Sequence, residues 1–221
     1  MFKGCQFPPA VILTCVRWYL RYKLSYRDLE EMMAERGVRV DHATIHRWVV
    51  KFAPMLALRA RRHRTPVCRS WRLDETYIKV RGQWKYLYRA VDARGRTVEF
   101  LLTASRDRDA ALRFLRRAVE HAGLPAKINI DKSGANAAGI AAYSEETGTR
   151  IAIRQSRYLN NLVEQDHRFV KQRVRATLGF KALRTARATL AGIELVHMIR
   201  KGQVRPLAGA SDAEQFHALA A

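Results

Sequence analysis

Cysteine is scarce in this chain of 221 residues. Its three cysteines, Cys5, Cys15 and Cys68, are an odd number and include no Cys-x-x-Cys pair. Disulfide frameworks and zinc ribbons need paired cysteines at regular spacings, so the sequence predicts neither. His42 and His46 lie four residues apart, as two metal ligands on one helix would, but no second pair completes a tetrahedral zinc site.

Long apolar runs are absent as well. The longest run near the start, residues 8–16, is too short to span a membrane, and no small-residue cleavage site follows it. We therefore expect a cytoplasmic protein with no membrane partner. Hydrophobic residues still make up 48% of the chain, which is enough to build the cores of one moderate domain and a small one.

Acidic residues are few. The chain has 20 Asp and Glu and 41 Lys and Arg, which gives a formal net charge of +21. None lies between Asp41 and Asp74, a stretch that holds basic residues throughout. Such a segment repels itself unless phosphates neutralise it. The charge therefore favours a polyanionic partner, with nucleic acid first. The alternative is a ribosomal-type or merely soluble basic protein.

The first sixty residues predict three helices. Pro8 and Pro9 open the first, Ser25 caps the second, which stops at Gly37, and Asp41 caps the third. Apolar residues of the third helix recur at helical spacing and face inward. Its outward side chains are polar, and they are His42, Thr44, His46, Arg47 and Lys51.

Two helices joined by a tight turn that contains glycine, the second of them basic outside, are typical of a helix-turn-helix. We predict a DNA-binding domain over residues 1–56, and a basic linker over residues 57–70 in which Arg61 and Arg62 also contact DNA. The alternative is an ordinary three-helix bundle with a solvated charged face.

Strands and helices alternate beyond residue 71. Three β-rich runs joined by hairpin-like turns come first, followed by helix, strand, helix, strand and helix. We predict these elements over residues 71–80, 84–91, 97–103, 107–122, 126–130, 135–146, 150–154 and 159–177. The catalytic domain is expected over residues 71–203, and the tail at 204–221 is expected to be a frayed helix or disordered. Trp71 and Trp84 would either stack on bases or enter the core.

Three acids fall on elements that a sheet brings together. Asp74 lies within the first strand, Asp131 ends a strand that can pair beside it, and Glu164 lies in a helix that packs on the sheet. Hard Mg²⁺ or Mn²⁺ prefers such oxygen ligands, and two cations stabilise both the entering and the leaving oxygen of a phosphodiester. A nuclease or a DNA-strand transferase needs that site. The neighbouring acids are interpreted as structural, and they are Glu75, Asp92 and Asp166.

Three segments carry a resemblance to a known family. They are Asp-Glu-Thr-Tyr-Ile-Lys-Val-Arg-Gly-Gln-Trp-Lys-Tyr-Leu-Tyr-Arg-Ala-Val-Asp at 74–92, Tyr-Leu-Asn-Asn-Leu-Val-Glu-Gln-Asp-His at 158–167 and Gly-Phe-Lys at 179–181. They resemble the DDE transposases of bacterial insertion sequences, and most of all the small family numbered six. The similarity runs from about residue 8 to residue 203.

The resemblance implies an α/β fold with an RNase H-like catalytic core, a five-stranded mixed sheet flanked by helices. It implies metal-dependent cutting of the element ends and strand transfer by the freed 3′-OH. The implied partners are double-stranded DNA, namely the terminal inverted repeats and the target, together with further copies of the chain in a homo-oligomer. The implied location is the bacterial cytoplasm, in association with the nucleoid.

The resemblance also assigns site residues. It makes Asp74, Asp131 and Glu164 the ligands of two Mg²⁺ ions, for which Mn²⁺ can substitute. Family members tend to carry a basic residue seven positions after the glutamate, and Lys171 occupies that position. Arg168 and Arg175 extend the same helix face and are expected to hold phosphates.

Two features of this region leave questions for the structure. Residues 132–163 separate the second acid from the third, a shorter interval than the family usually has, and a shortened loop between Glu145 and Gly148 would absorb the difference. His167 follows Glu164 by three residues, and a supporting role is favoured over ligation because the Glu-x-x-His pattern occurs once.

Two rival functions remain open. One is a transcriptional regulator that uses the helix-turn-helix beside a core that no longer catalyses, although the intact acids argue against it. The other is a stand-alone nuclease or resolvase, which would cut DNA without joining it.

Overall fold

A computed structural model describes residues 1–131, 134–156, 160–176 and 179–221. The chain divides into two compact units, one formed by residues 1–65 with residues 170–221, the other by residues 66–169. The helices are α1 (Pro9–Arg21), α2 (Tyr26–Ala34), α3 (His42–Ala60), α4 (Arg108–Ala122), α5 (Gly134–Thr147), α6 (Asn161–Ala176), α7 (Leu183–Arg200) and α8 (Asp212–Ala218). The strands are β1 (Ser70–Val80), β2 (Gln83–Asp92), β3 (Thr97–Thr103), β4 (Lys127–Ile130) and β5 (Ala152–Gln155).

The first unit contains α1, α2 and α3, the three helices predicted for the start of the chain. Helix α2 begins with a capping box, in which Ser25 accepts a hydrogen bond from the backbone N–H of Asp28 and the Asp28 carboxylate accepts one from the N–H of Ser25. The Asp41 side chain caps α3 by accepting from the N–H of Thr44. Both caps satisfy backbone donors that a helix leaves free at its first turn, so they fix where these helices start.

Helix α7 completes this unit, and no element was predicted over its residues. It packs on α3 and α1, and Gly192 lies directly against both of them. A Cβ atom at Gly192 would lie 2.6 Å from Cδ1 of Leu20 and 2.7 Å from Cβ of Ala53. Glycine is therefore required by packing at this position, since any side chain would push α7 away from the other two helices.

Two stretches are more ordered than the sequence predicts. Helix α3 continues to Ala60 and a 3₁₀ turn follows over residues 61–63, so the first half of the predicted linker is helical. Burial of Leu56 and Ala60 explains this extension. The tail, expected to fray or be disordered, forms α8, because Ser211 and Glu214 make a capping box and Phe216 is buried.

The second unit is built on a five-stranded sheet in the order β3-β2-β1-β4-β5. Its first three strands are antiparallel, whereas β1 with β4 and β4 with β5 are parallel, so the sheet is mixed. On one face Trp71 and Leu73 of β1 enter a core with Phe114 and Leu115 of α4 and Tyr143 of α5. This α/β arrangement is that of an RNase H-like core, and the predicted fold class is confirmed.

The order of elements between Asp131 and Glu164 also matches the prediction. Helix α5 ends at Thr147 and β5 begins at Ala152, so the loop between them spans residues 148–151. Helix, strand and helix are all present in this interval. In the described ranges, no helix has both the length and the apolar character needed to cross a membrane.

Candidate active site

The two aspartates of the predicted site lie on neighbouring strands. Asp74 is in the middle of β1, and the parallel pairing of β1 with β4 runs from Ser70 opposite Lys127 to Arg72 opposite Asn129. Continued by two residues, this register places Asp131 opposite Asp74. Adjacent strands are about 4.8 Å apart, so in this register the two carboxylates would start from neighbouring positions.

Glu164 belongs to the first turn of α6, and its side chain is exposed. Three residues later on the same helix, His167 is buried and its Nε2 lies 3.5 Å from Oδ2 of Asp74. Residues three apart on a helix share a face. Glu164 therefore lies one helical turn from the residue that contacts the first aspartate.

A buried ion pair holds this part of α6 on the sheet. Nη1 of Arg89 donates to Oδ2 of Asp166 at 3.1 Å, and the two side chains are 0% and 6% exposed. Arg89 is the Cα partner of Asp74 in the antiparallel β1–β2 pair, so both side chains project from the same face of the sheet. The helix that carries Glu164 is thus fixed on the face that carries Asp74. Interpreting Asp166 as structural agrees with this contact.

A second carboxyl lies beside Asp74 but points to the opposite face. Glu75 accepts hydrogen bonds from Nε of Arg106 at 2.8 Å and from Nδ2 of Asn136 at 2.9 Å. Burial raises the pKa of Glu75, and these two bonds oppose the rise while the charge of Asp74 adds to it. Nη2 of Arg106 also lies 3.9 Å from Oδ2 of Asp131. A cation therefore stands between the second catalytic candidate and a buried acid.

Sequence reasoning missed Arg106. It lies in the loop between β3 and α4, outside every motif, and only its proximity to Glu75 and Asp131 in three dimensions gives it significance. Nothing in the sequence distinguishes Arg106 from the many other arginines of the chain.

The donor atoms of the three acids suit a hard divalent cation, because all are carboxylate oxygens. Within the ranges the structure describes, no three His, Cys, Asp or Glu side chains gather closely enough to form a metal-binding cluster. Asp131 follows the last residue of β4, one position beyond the strand that pairs with β1, and the Glu164 side chain is exposed. The residue types of the three acids fit the metal.

The predicted base-contacting residues lie along α3. Nη2 of Arg47 donates to Oγ1 of Thr44 at 2.6 Å, and Thr44 in turn donates to the capping Asp41. Burial, followed by the charges of Arg47 and Lys181, lowers the pKa of His46, so its imidazole is neutral at physiological pH and offers one donor and one acceptor. Other predicted contacts in this region are exposed, and they are Lys51, Arg61 and Arg62.

The predicted phosphate-binding residues of α6 are all exposed, and they are Arg168, Lys171 and Arg175. Arg173 behaves differently. It is 3% exposed, donates to the carbonyls of Tyr19 and Leu24, and stacks over the Tyr19 ring at 4.3 Å. Its role is structural within the first unit, because it satisfies carbonyls near the end of α1.

Comparison with known proteins identifies what the chain resembles. The DDE domain of IS240-type transposases matches residues 68–203. The transposase for insertion sequence-like element IS431mec of Staphylococcus aureus Mu50 is 41% identical over 207 residues, which is 93% of this chain and 91% of the relative. The transposase for insertion sequence element IS257 in transposon Tn4003 of Staphylococcus aureus is 40% identical over the same length, with the same coverage of both chains.

A solved structure also matches. The HTLV-2 integrase catalytic core domain in complex with magnesium aligns with 69% of this chain and 97% of its own at 18% identity and a TM-score of 0.47.

Proposed function

The chain belongs to the DDE transposases of bacterial insertion sequences, enzymes that cut and join DNA with divalent metals, and we propose that Asp74, Asp131 and Glu164 are its catalytic carboxylates. One observation carries this proposal. The His167–Asp74 contact brings the helix of Glu164 to the strand of Asp74, and the β1–β4 register, continued by two residues, would set Asp131 beside Asp74.

These carboxylates would hold two Mg²⁺ ions, for which Mn²⁺ can substitute, and the ions would stabilise charge on the entering and leaving oxygens of the phosphodiester. Contacts within the protein position these carboxylates. Arg89 and Asp166 fix α6, His167 contacts Asp74, and Arg106 stands beside Asp131. Glu164 supplies the third carboxylate from a helix whose position is set by these contacts.

Recognition of the element ends is assigned to the helix-turn-helix of residues 1–56. Arg47 and the neutral His46 would meet base edges in the major groove, with Thr44 beside them and Lys51 on a phosphate. Arg61, Arg62, Arg168 and Arg175 would add sequence-independent phosphate contacts. The proposed partners are the terminal inverted repeats, the target DNA and further copies of the chain, in the bacterial cytoplasm at the nucleoid.

The proposal predicts that the purified protein cuts inverted-repeat ends only when a divalent metal is present. Mg²⁺ or Mn²⁺ should support cleavage of a labelled end duplex and joining to a second DNA, and a chelator should abolish both while leaving end binding in place. Gel analysis of cleaved and joined products measures each step.

The controls separate the rival functions. Cutting without joining would indicate a nuclease or resolvase. Sequence-specific binding with no cutting in either metal would indicate a regulator with an inactive core.

Lys171 gives a separate prediction. It follows Glu164 by seven residues on α6, about 10 Å along the axis, and is placed to hold a phosphate of the cleaved end. On ends that are already bound, Lys171→Ala should slow cleavage and joining by about tenfold, because one charged phosphate contact is lost. Lys171→Arg should keep part of the rate, since the charge survives with altered geometry.

Single-turnover rates on pre-bound ends measure this effect. Arg200→Ala, which removes an exposed basic residue at the end of α7, is the matched control. Wild-type rates in Lys171→Ala would mean that Lys171 is only a solvent-exposed side chain of the helix.

A further inference from the structure

The tip of the β1–β2 hairpin carries an exposed aromatic surface. Trp84 is 60% exposed and Tyr77 is 47% exposed, whereas Trp71 on the same strand as Tyr77 is 1% exposed and lies in the core. The sequence did not decide whether Trp71 and Trp84 stack on bases or enter the core, and the structure gives the two residues different environments. A large exposed aromatic cluster is unfavourable in water, so its presence indicates a binding surface.

These rings form a continuous strip. Tyr77 is opposite Tyr86 and Lys79 is opposite Trp84 in the antiparallel register, so all four side chains project from one face. The centroid of Tyr77 is 5.2 Å from that of Tyr86 and 6.3 Å from that of Trp84, and Nζ of Lys79 lies 5.7 Å from the centre of the Trp84 ring. We call Tyr77, Trp84, Tyr86 and Lys79 the aromatic strip.

The strip starts next to the candidate active site. Glu75, which Arg106 links to Asp131, precedes Tyr77 by two residues on β1 and projects from the same face. At about 3.3 Å per strand residue, Tyr77 lies roughly 7 Å beyond Glu75 and Lys79 roughly 13 Å beyond it. Asp74 projects from the other face of β1, so a nucleic acid held at the carboxylates reaches the strip by passing the edge of β1 beyond Ile130, where β4 ends.

Charge identifies the class of partner. No acidic residue occurs from Thr76 to Val91, Lys79 contacts the Trp84 ring, and Arg81 lies in the turn between the two strands. Aromatic faces beside cations are how proteins bind single-stranded nucleic acid, because each ring stacks on a base while the cations contact the backbone. Bases in a duplex are already stacked and cannot offer their faces to a protein ring.

We propose that the aromatic strip stacks on unpaired bases of the element end next to the scissile phosphate, and so holds the end open for cutting. This inference rests on the proposed function, since it takes a DNA end as the substrate. Tyr77 and Trp84 each present an exposed face, and Lys79 is placed to meet the phosphate between the bases they hold. Stacking contributes about tenfold in affinity for each base.

The test compares two substrates for the full-length protein with Mg²⁺. One is a fully paired end, and the other carries two mismatched pairs at the cleavage position. Wild type should bind the mismatched end about tenfold more tightly. Trp84→Ala should lose this preference and cut the paired end about tenfold more slowly, whereas Trp84→Phe should keep most of both because an aromatic face remains.

Ile153→Ala is the matched control, because Ile153 is also a large exposed apolar residue, 42% exposed, but lies on the edge strand β5. It should leave both measurements unchanged. The inference is overturned if wild type cuts ends but Trp84→Ala keeps the preference for mismatched ends. It is also overturned if Trp84→Ala changes only the oligomeric state by light scattering, which would assign the surface to a second copy. No cutting by wild type would instead count against the proposed function.

Discussion

Asp74→Asn, Asp131→Asn and Glu164→Gln should each lower the rate of end cleavage by about a thousandfold or more, because each amide removes a charged metal ligand and several kcal/mol of transition-state stabilisation. End binding should stay within about twofold, since recognition is assigned to α3. Cleavage rates at saturating protein and binding isotherms on the same end duplex separate the two effects.

The matched control is Glu145→Gln, which makes the same chemical change at an exposed position near the end of α5. It should cut at the wild-type rate. Nicking retained by Glu164→Gln in Mg²⁺ would contradict the assignment of the third acid. Nicking retained by Asp131→Asn in Mg²⁺ would mean that the metal site does not lie at the end of β4.

The second large effect is expected on stability. Arg89→Met should destabilise the second unit by about 3–5 kcal/mol, because it removes the buried cation that pairs with the Asp166 carboxylate. Urea-induced unfolding followed by circular dichroism measures the loss. The double variant with Asp166→Leu should recover much of it, since a buried apolar pair of similar volume can replace a buried ion pair at little cost.

Arg108→Met provides the comparison. Arg108 pairs with Asp109 at 3.1 Å, but both side chains are more than 60% exposed, so its loss should cost less than about 1 kcal/mol. Equal effects of Arg89→Met and Arg108→Met would mean that the buried pair contributes little to the fold. It would then have no special part in fixing α6.

Elements with local signals were predictable from the sequence. The caps of α2 and α3 depend on Ser25 and Asp41, which act on backbone groups within three residues of themselves. The hairpins of the sheet follow from alternating β-rich runs and glycine turns, and their bounds agree with the prediction to within two residues. Local chemistry decides these features, so a sequence pattern is enough to find them.

Elements that depend on distant contacts were missed. Helix α7 starts at Leu183 without a side-chain cap, and its buried face is defined by α1 and α3, which precede it by more than a hundred residues. The pairing of Arg106 with Glu75, and of Arg89 with Asp166, likewise joins residues far apart in the chain. The three acids stay a prediction, which the order of elements and the family resemblance support, whereas the cations that contact their neighbours have no signal in the sequence.

The discontinuous first unit has a consequence for synthesis of the protein. Residues 1–65 leave the ribosome first, yet α3 packs on α7, whose residues are translated only after the whole of the second unit. The buried faces of α1 and α3 stay uncovered during that interval. A fragment whose translation stops before residue 183 therefore has α1 and α3 without the helix that covers their buried faces. Such fragments should be degraded rather than compete with the intact enzyme for the element ends.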